Sequence, residues 1–232
     1  MLSKILSSFK KALSKSRKLI FRNYREHVLS KTICLEMEKL EKIKKKRIIK
    51  ILDFGSGHNP VIIKKIIEKL TCKYKNTKFI AYCYDFYTKK ELKIMNNNSY
   101  IKFLNIKSLA NNNITKFNFC LVVDVLHHIG LENNKKIFEI IIRLKRKSKF
   151  LIIKDHFQYG FFSNLALIMM DFVGNYGDSV KIPKTYFNIT TFENFLSKLN
   201  FKEIKRIRNK KYYKWYWFYF NSKKLHFLSI LK

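Results

Sequence analysis

The sequence predicts an α/β fold: a seven-stranded, mostly parallel sheet with helices on both faces and an antiparallel C-terminal strand. Three observations lead there. Short runs rich in Ile, Val, Phe and Tyr alternate with runs of helical period, as βαβ units do. The first of these strands feeds directly into a glycine loop, Gly55-Ser56-Gly57. At 232 residues with 47% hydrophobic and 16% aromatic content, the chain has the material for one sizeable core.

Taken in order, IIKILDF (48–54) is the first strand and NPVIIKKIIEKL (59–70) the first helix of the domain, with Pro60 suited to an opening turn. KFIAYCYDF (78–86), YIKFLNI (100–106) and FNFCLVVDVL (117–126) are strands two to four. KKIFEIIIRLKRK (135–147) is a helix and KFLIIKD (149–155) the fifth strand. An apolar insert follows at about 156–186. TTFENFLSKLN (190–200) is helical, with Thr190 or Thr191 as its cap, and FKEIKRIRN (201–209) and LHFLSILK (225–232) close the sheet. Within the insert, FFSNLALIMMDFV (161–173) reads either as a core helix with its apolar side inward or as a wall for a greasy acceptor.

Ahead of the domain, residues 1–46 form a basic extension, with the boundary near Lys46. Leu2, Ile5, Leu6, Phe9, Leu13, Ile20 and Tyr24 fall near one helical face, and no acid precedes Glu26. That segment suits an anionic lipid surface, an organelle presequence or a lysine-rich helix packed on the domain. A second helix is expected over 27–44. The net charge of +33 permits a polyanionic partner, but Lys, Asn and Ile are also what AT-rich codons specify. Cys34, Cys72, Cys83 and Cys120 make no C-x-x-C pair, which fits a reduced cytoplasmic protein. No apolar run approaches the roughly 18 residues of a membrane span; the expected location is cytoplasmic, with peripheral attachment at a membrane surface open.

The glycine loop carries the chemistry. A dinucleotide fingerprint wants a third glycine where Pro60 stands, so a nicotinamide cofactor fits poorly. Asp53 lies two positions before Gly55, and Gly55 and Gly57 let the backbone approach a ligand without a Cβ. Asp85, about 28 residues beyond Gly57 and followed by Phe86, ends the second strand. With LVVDVLHHI at the end of the fourth strand, these residues resemble the class I S-adenosylmethionine-dependent methyltransferases, which have a Rossmann-like fold, from about Ile49 to the C-terminus.

The resemblance implies S-adenosylmethionine as cofactor. It assigns the loop Asp53, Gly55, Ser56 and Gly57 to that cofactor, Asp85 to its ribose hydroxyls, and Phe86, Asn105 and Ile106 to the adenine side. It puts Asp124 near the methionine part, with His127 or His128 facing the cleft. IIKDHF, MDFVGN and LHFLSILK are further similar to a bacterial subgroup with LHH and KDH motifs; by that likeness Asp155 and His156 share the rim with Asp124, and Asp171, Gly174 and Asn175 belong to a lid.

The function expected is methyl transfer to a small-molecule or lipid-like acceptor, with His156, oriented by Asp155, or else His127 as base for a hydroxyl or acidic carbon. No metal is expected, although His127, His128, Asp155 and His156 could gather a divalent ion. Nucleic acid is a lesser partner: DVLH replaces the N/D-P-P-Y/F element of exocyclic-amine enzymes, and no cysteine stands where a cytosine-C5 enzyme needs one. An RNA methyltransferase that stacks bases on KYYKWYWFYF (211–220), and a non-catalytic binding module, are the competing readings.

Overall fold

The computed structural model describes residues 23–95, 100–105, 116–129, 134–175, 182–208, 210–213 and 224–232. Seven strands form one sheet: β1 (Ile48–Phe54), β2 (Lys78–Asp85), β3 (Ile101–Asn105), β4 (Phe117–Val123), β5 (Ser148–His156), β6 (Glu203–Ile207) and β7 (His226–Leu231). Their order is β3-β2-β1-β4-β5-β7-β6. The pairs from β3 through β5 are parallel, and β7 runs antiparallel to both β5 and β6. The strand order reverses direction between β1 and β4, which leaves a crevice at their carboxyl ends, the usual ligand position in open α/β sheets.

Alternation along the strands builds two cores. Ile49, Ile51, Phe119, Leu121 and Ile152 point to one face, while Leu52, Phe54, Cys120, Val122 and Ile153 point to the other. The first face is covered by α1 (Asn23–Leu40), through Leu29, Ile33 and Met37, and by α2 (Val61–Lys73), through Ile63, Ile66 and Leu70. The second is covered by α5 (Asn134–Lys147), through Ile137, Ile141 and Leu144, and by α7 (Ile189–Lys198), through Phe192, Phe195 and Leu196. Between them in the chain come α3 (Lys89–Met95), the single turn α4 (Leu126–Ile129), and α6 (Phe161–Asn175), which occupies much of the expected insert.

Three local expectations change. The helix expected over 27–44 is α1, shifted toward the N-terminus and followed by a 3-10 turn at Ile43–Lys45. From Asn23 onward the extension shares the core of the strands, with Leu29, Ile33 and Met37 fully buried. The cap of α7 is Asn188 rather than Thr190 or Thr191: its side chain accepts from the Thr191 N–H while the Thr191 hydroxyl accepts from the Asn188 N–H, a reciprocal capping box. On α6, Ala166, Leu167 and Met170 are buried, yet Phe161, Phe162, Leu165, Met169 and Phe172 are exposed, so the helix has a second apolar face turned outward.

The cysteines are free, and Cys34, Cys83 and Cys120 are buried among apolar neighbours; burial pushes the Cys34 thiol up to about 12. Among the described residues no helix is long and apolar enough to cross a membrane. Of the aromatic stretch considered for RNA stacking, Tyr212 and Tyr213 are buried against the His226 ring and unavailable to a base, and residues 214–220 lie outside the described set.

Candidate active site

Two groups of side chains meet at the crevice. The first surrounds the glycine loop. Gly55 has φ +74°, and a Cβ there would collide with the Val125 side chain, so the loop lies directly on the end of β4. Gly57 has φ +66° with open space where a Cβ would stand. Only glycine takes both conformations at little cost.

Asp85 ties the loop to β2. Its Oδ2 accepts the Gly57 N–H at 2.7 Å and its Oδ1 the Phe86 N–H at 2.7 Å. Each oxygen keeps a lone pair, enough for the two hydroxyls of a vicinal diol. The Tyr87 hydroxyl donates to the Gly57 carbonyl at 2.7 Å and lies 2.7 Å from Ser56 Oγ, while Asn105 Nδ2 donates to the Tyr87 carbonyl. Phe86 is 71% exposed. Asp53 sits buried beneath the loop; burial, and then the charge of Asp85, push its carboxyl up to about 7. Asp53, Gly55, Ser56, Gly57, Asp85, Phe86 and Asn105 therefore come together as a cradle, and Ile106 lies outside the described residues.

The second group is a buried polar cluster at the ends of β4, β5 and β7. Asp124 adopts φ +52°, a left-handed conformation unusual outside glycine that Asp tolerates better than most. Its carboxylate meets Arg25 from α1 and Lys154 from β5, and lies 3.2 Å from His156 Nε2. Lys154 is fully buried, with burial and Arg25 pulling it well below the ordinary lysine range.

Adjacency suggested that Asp155 orients His156. The carboxylate instead takes His127 Nδ1 at 2.5 Å and the backbone N–H groups of Leu126 and His156 at 3.1 and 2.8 Å. The His156 ring, 5.2 Å from that of His127, reaches on toward β7. There His156 Nδ1 lies 2.9 Å from His226 Nδ1, its partner in the antiparallel register. His127 Nε2 faces Asp171 Oδ2 at 3.2 Å, and Tyr186 donates to that same oxygen at 2.6 Å. His127 is buried, whereas its neighbour His128 is half-buried, the two rings 4.0 Å apart.

The two histidines differ in charge. Burial works against an imidazolium at His127, but Asp155 and then Asp171 outweigh it and push the ring up to about 9. At His156 burial, Lys154 and His127 all act in one direction and hold its pKa well below the usual histidine value. At neutral pH the cluster thus contains a cationic His127 clamped between two carboxylates and a neutral His156.

The sequence reading missed Arg25, Lys154, Tyr186 and His226. Lys154 had a signal, being a lysine inside an apolar strand. Arg25 had none beyond its charge.

No protein-family model matches the chain, and no curated protein does. Its fold does have solved counterparts. It is similar to the CMeT domain of the citrinin polyketide synthase, with TM-score 0.61 and 12% identity over 93% of this chain and 55% of that one. LepI in complex with SAM matches with TM-score 0.55 and 10% identity, covering 86% of this chain and 46% of LepI. The mitomycin 7-O-methyltransferase MmcR matches with TM-score 0.53 and 11% identity, covering 78% and 48%. The chain spans about half the length of these proteins. At such identities the shared property is the fold: a mostly parallel seven-stranded sheet with an antiparallel strand near its end.

Proposed function

We propose that this protein binds S-adenosylmethionine at the Gly55-Ser56-Gly57 cradle and transfers its methyl group to a small-molecule or lipid-like acceptor. The observation that carries the reading is the pairing of open space at Gly57 with an Asp85 carboxylate that takes the Gly57 N–H and keeps acceptor capacity for a diol. The LepI complex with SAM and the O-methyltransferase MmcR, on the same fold, support it.

The residues fit that cofactor. Asp85 would hold the ribose diol, the Phe86 ring and Asn105 would flank the base, and Asp53 and Asp124 would face its cationic end. When bound, the cofactor supplies a methyl group already activated on a sulfonium. The protein's own part is to align the acceptor and exclude water. For a hydroxyl acceptor, His156 would take the proton, being neutral whereas His127 is not; its Nδ1 faces His226 and its Nε2 faces Asp124, so the acceptor would displace one of these contacts. His226, 2.9 Å away, holds its ring and takes the place first expected of Asp155.

The test is titration calorimetry with S-adenosylmethionine, followed by labelled methyl transfer into lysate fractions separated into lipid, small-molecule and RNA pools. Binding with label in the lipid or small-molecule pool is expected; absence of binding, or label confined to RNA, would refute the reading.

Asp53 adds a pH dependence. Its raised pKa favours the protonated carboxyl in the free protein, so its contribution to stability is present below about pH 4 and is lost as pH rises through about 7. A bound cation reverses that preference by drawing the proton off. Cofactor affinity should therefore rise from pH 6 to 8 with proton release near 7, and Asp53→Asn should flatten the profile. A flat profile in the native protein would contradict this role for Asp53.

A further inference from the structure

α6 is apolar on two sides, and its inward side packs into the core through Leu167 and Met170. At 100° per residue, Phe161, Phe172, Leu165, Met169 and Phe162 follow one another within roughly 100° of arc. All five are exposed, Phe161 and Phe162 at 76% and 75%. Single exposed apolar residues are ordinary, but a contiguous stripe with three phenylalanines on one helix marks a contact surface.

The surroundings of the stripe are basic. The Asn164 side chain donates to the Lys184 carbonyl, which places that exposed lysine beside the helix. Arg208 packs on the ring of Tyr159, just before the helix begins. The acidic residue of α6, Asp171, faces inward to His127. The whole chain carries +33.

We propose that the outer face of α6 docks on an anionic lipid bilayer, inserting Phe161, Phe162, Leu165 and Met169 among the acyl chains while Lys184 and Arg208 meet the headgroups. An apolar stripe bordered by cations is how a helix lies in a membrane interface. A second copy of the chain fits the stripe less well, since it would bring two strongly cationic bodies together. The surface does not depend on the methyl-transfer reading. It does bear on the source of a lipid-like acceptor, because the same helix presents its outer face to the bilayer and Asp171 to the buried cluster.

Cosedimentation of the full chain with phosphatidylcholine vesicles, alone or mixed with phosphatidylglycerol, tests it without cofactor. Native protein should bind the mixed vesicles strongly and the neutral ones weakly. The double variant Phe161→Ser/Phe162→Ser, with its fold checked by circular dichroism, should bind the mixed vesicles at least about tenfold more weakly and release completely in high salt, where native protein keeps part of its binding. Lys184→Ser/Arg208→Ser should reduce the preference for anionic lipid. Equal binding by the phenylalanine variant, no binding by native protein, or a lipid-free dimer that the same variant dissociates would each overturn the proposal.

Discussion

Replacing His156 with alanine should lower turnover about 10²–10⁴-fold, the usual contribution of a positioned base, while leaving affinity for S-adenosylmethionine within a few-fold. The expectation rests on charge state as well as position. A base must be unprotonated at working pH, which burial, Lys154 and His127 ensure at His156, and Asp124 Oδ1, 3.2 Å from its Nε2, is placed to offset their penalty on the imidazolium once the proton is taken. His127 is in the opposite condition, held as an imidazolium by Asp155 and Asp171. Labelled methyl transfer and calorimetry on the same preparation separate the two quantities. Native turnover in His156→Ala would remove the base from the mechanism; a matched loss of cofactor binding would make His156 a support for Asp124 instead.

The largest stability effect is expected at Asp155. Its side chain satisfies His127 and two backbone N–H groups at once, all of them buried. Asp155→Ala removes one member of a buried ion pair and leaves those donors unmatched, a change that costs about 3–5 kcal/mol. Asp155→Asn keeps one acceptor for the backbone and should cost less.

The pH dependence follows from His127. Its pKa is raised to about 9 in the folded protein, so the stability that the pair contributes is fully present below about pH 6.5 and is lost as pH rises through 9. Denaturant unfolding should therefore show the Asp155→Ala deficit shrinking between pH 6.5 and pH 10. A deficit under about 1 kcal/mol, or one independent of pH, would mean that the pair does not hold the cluster together.

These effects come from contacts that differ in how far they can be read from the chain. The strands were legible because each is a short β-branched and aromatic run between turn residues, and IIKILDF leads into the glycine loop without interruption. The cradle was legible for a related reason: Asp53, Gly55 and Gly57 lie within five residues, and Asp85 ends the neighbouring strand, so local sequence brings them together once β1 and β2 pair. The helix cap was misread by a few residues because Asn188 and both threonines are competent caps, and only the path of the entering chain selects among them.

The polar cluster was visible as a set of residue types and not as a set of bonds. Asp155 and His156 are adjacent in sequence and stay close in space with His127, yet the Asp155 carboxylate takes the His127 ring while His156 Nδ1 lies against His226. His226 becomes the partner of His156 only through the antiparallel register of β7 on β5, and Arg25 reaches Asp124 only because α1 packs on the same sheet. The outward face of α6 has the same origin. Its composition announced an apolar helix, but which side the core would take depended on what lay beneath it. The sequence by itself determined the sheet, the glycine cradle and the residue types at the crevice, since local pattern and spacing encode those. Tertiary structure alone decided the pairing, charge and exposure of those residues, because each depends on groups brought from distant parts of the chain.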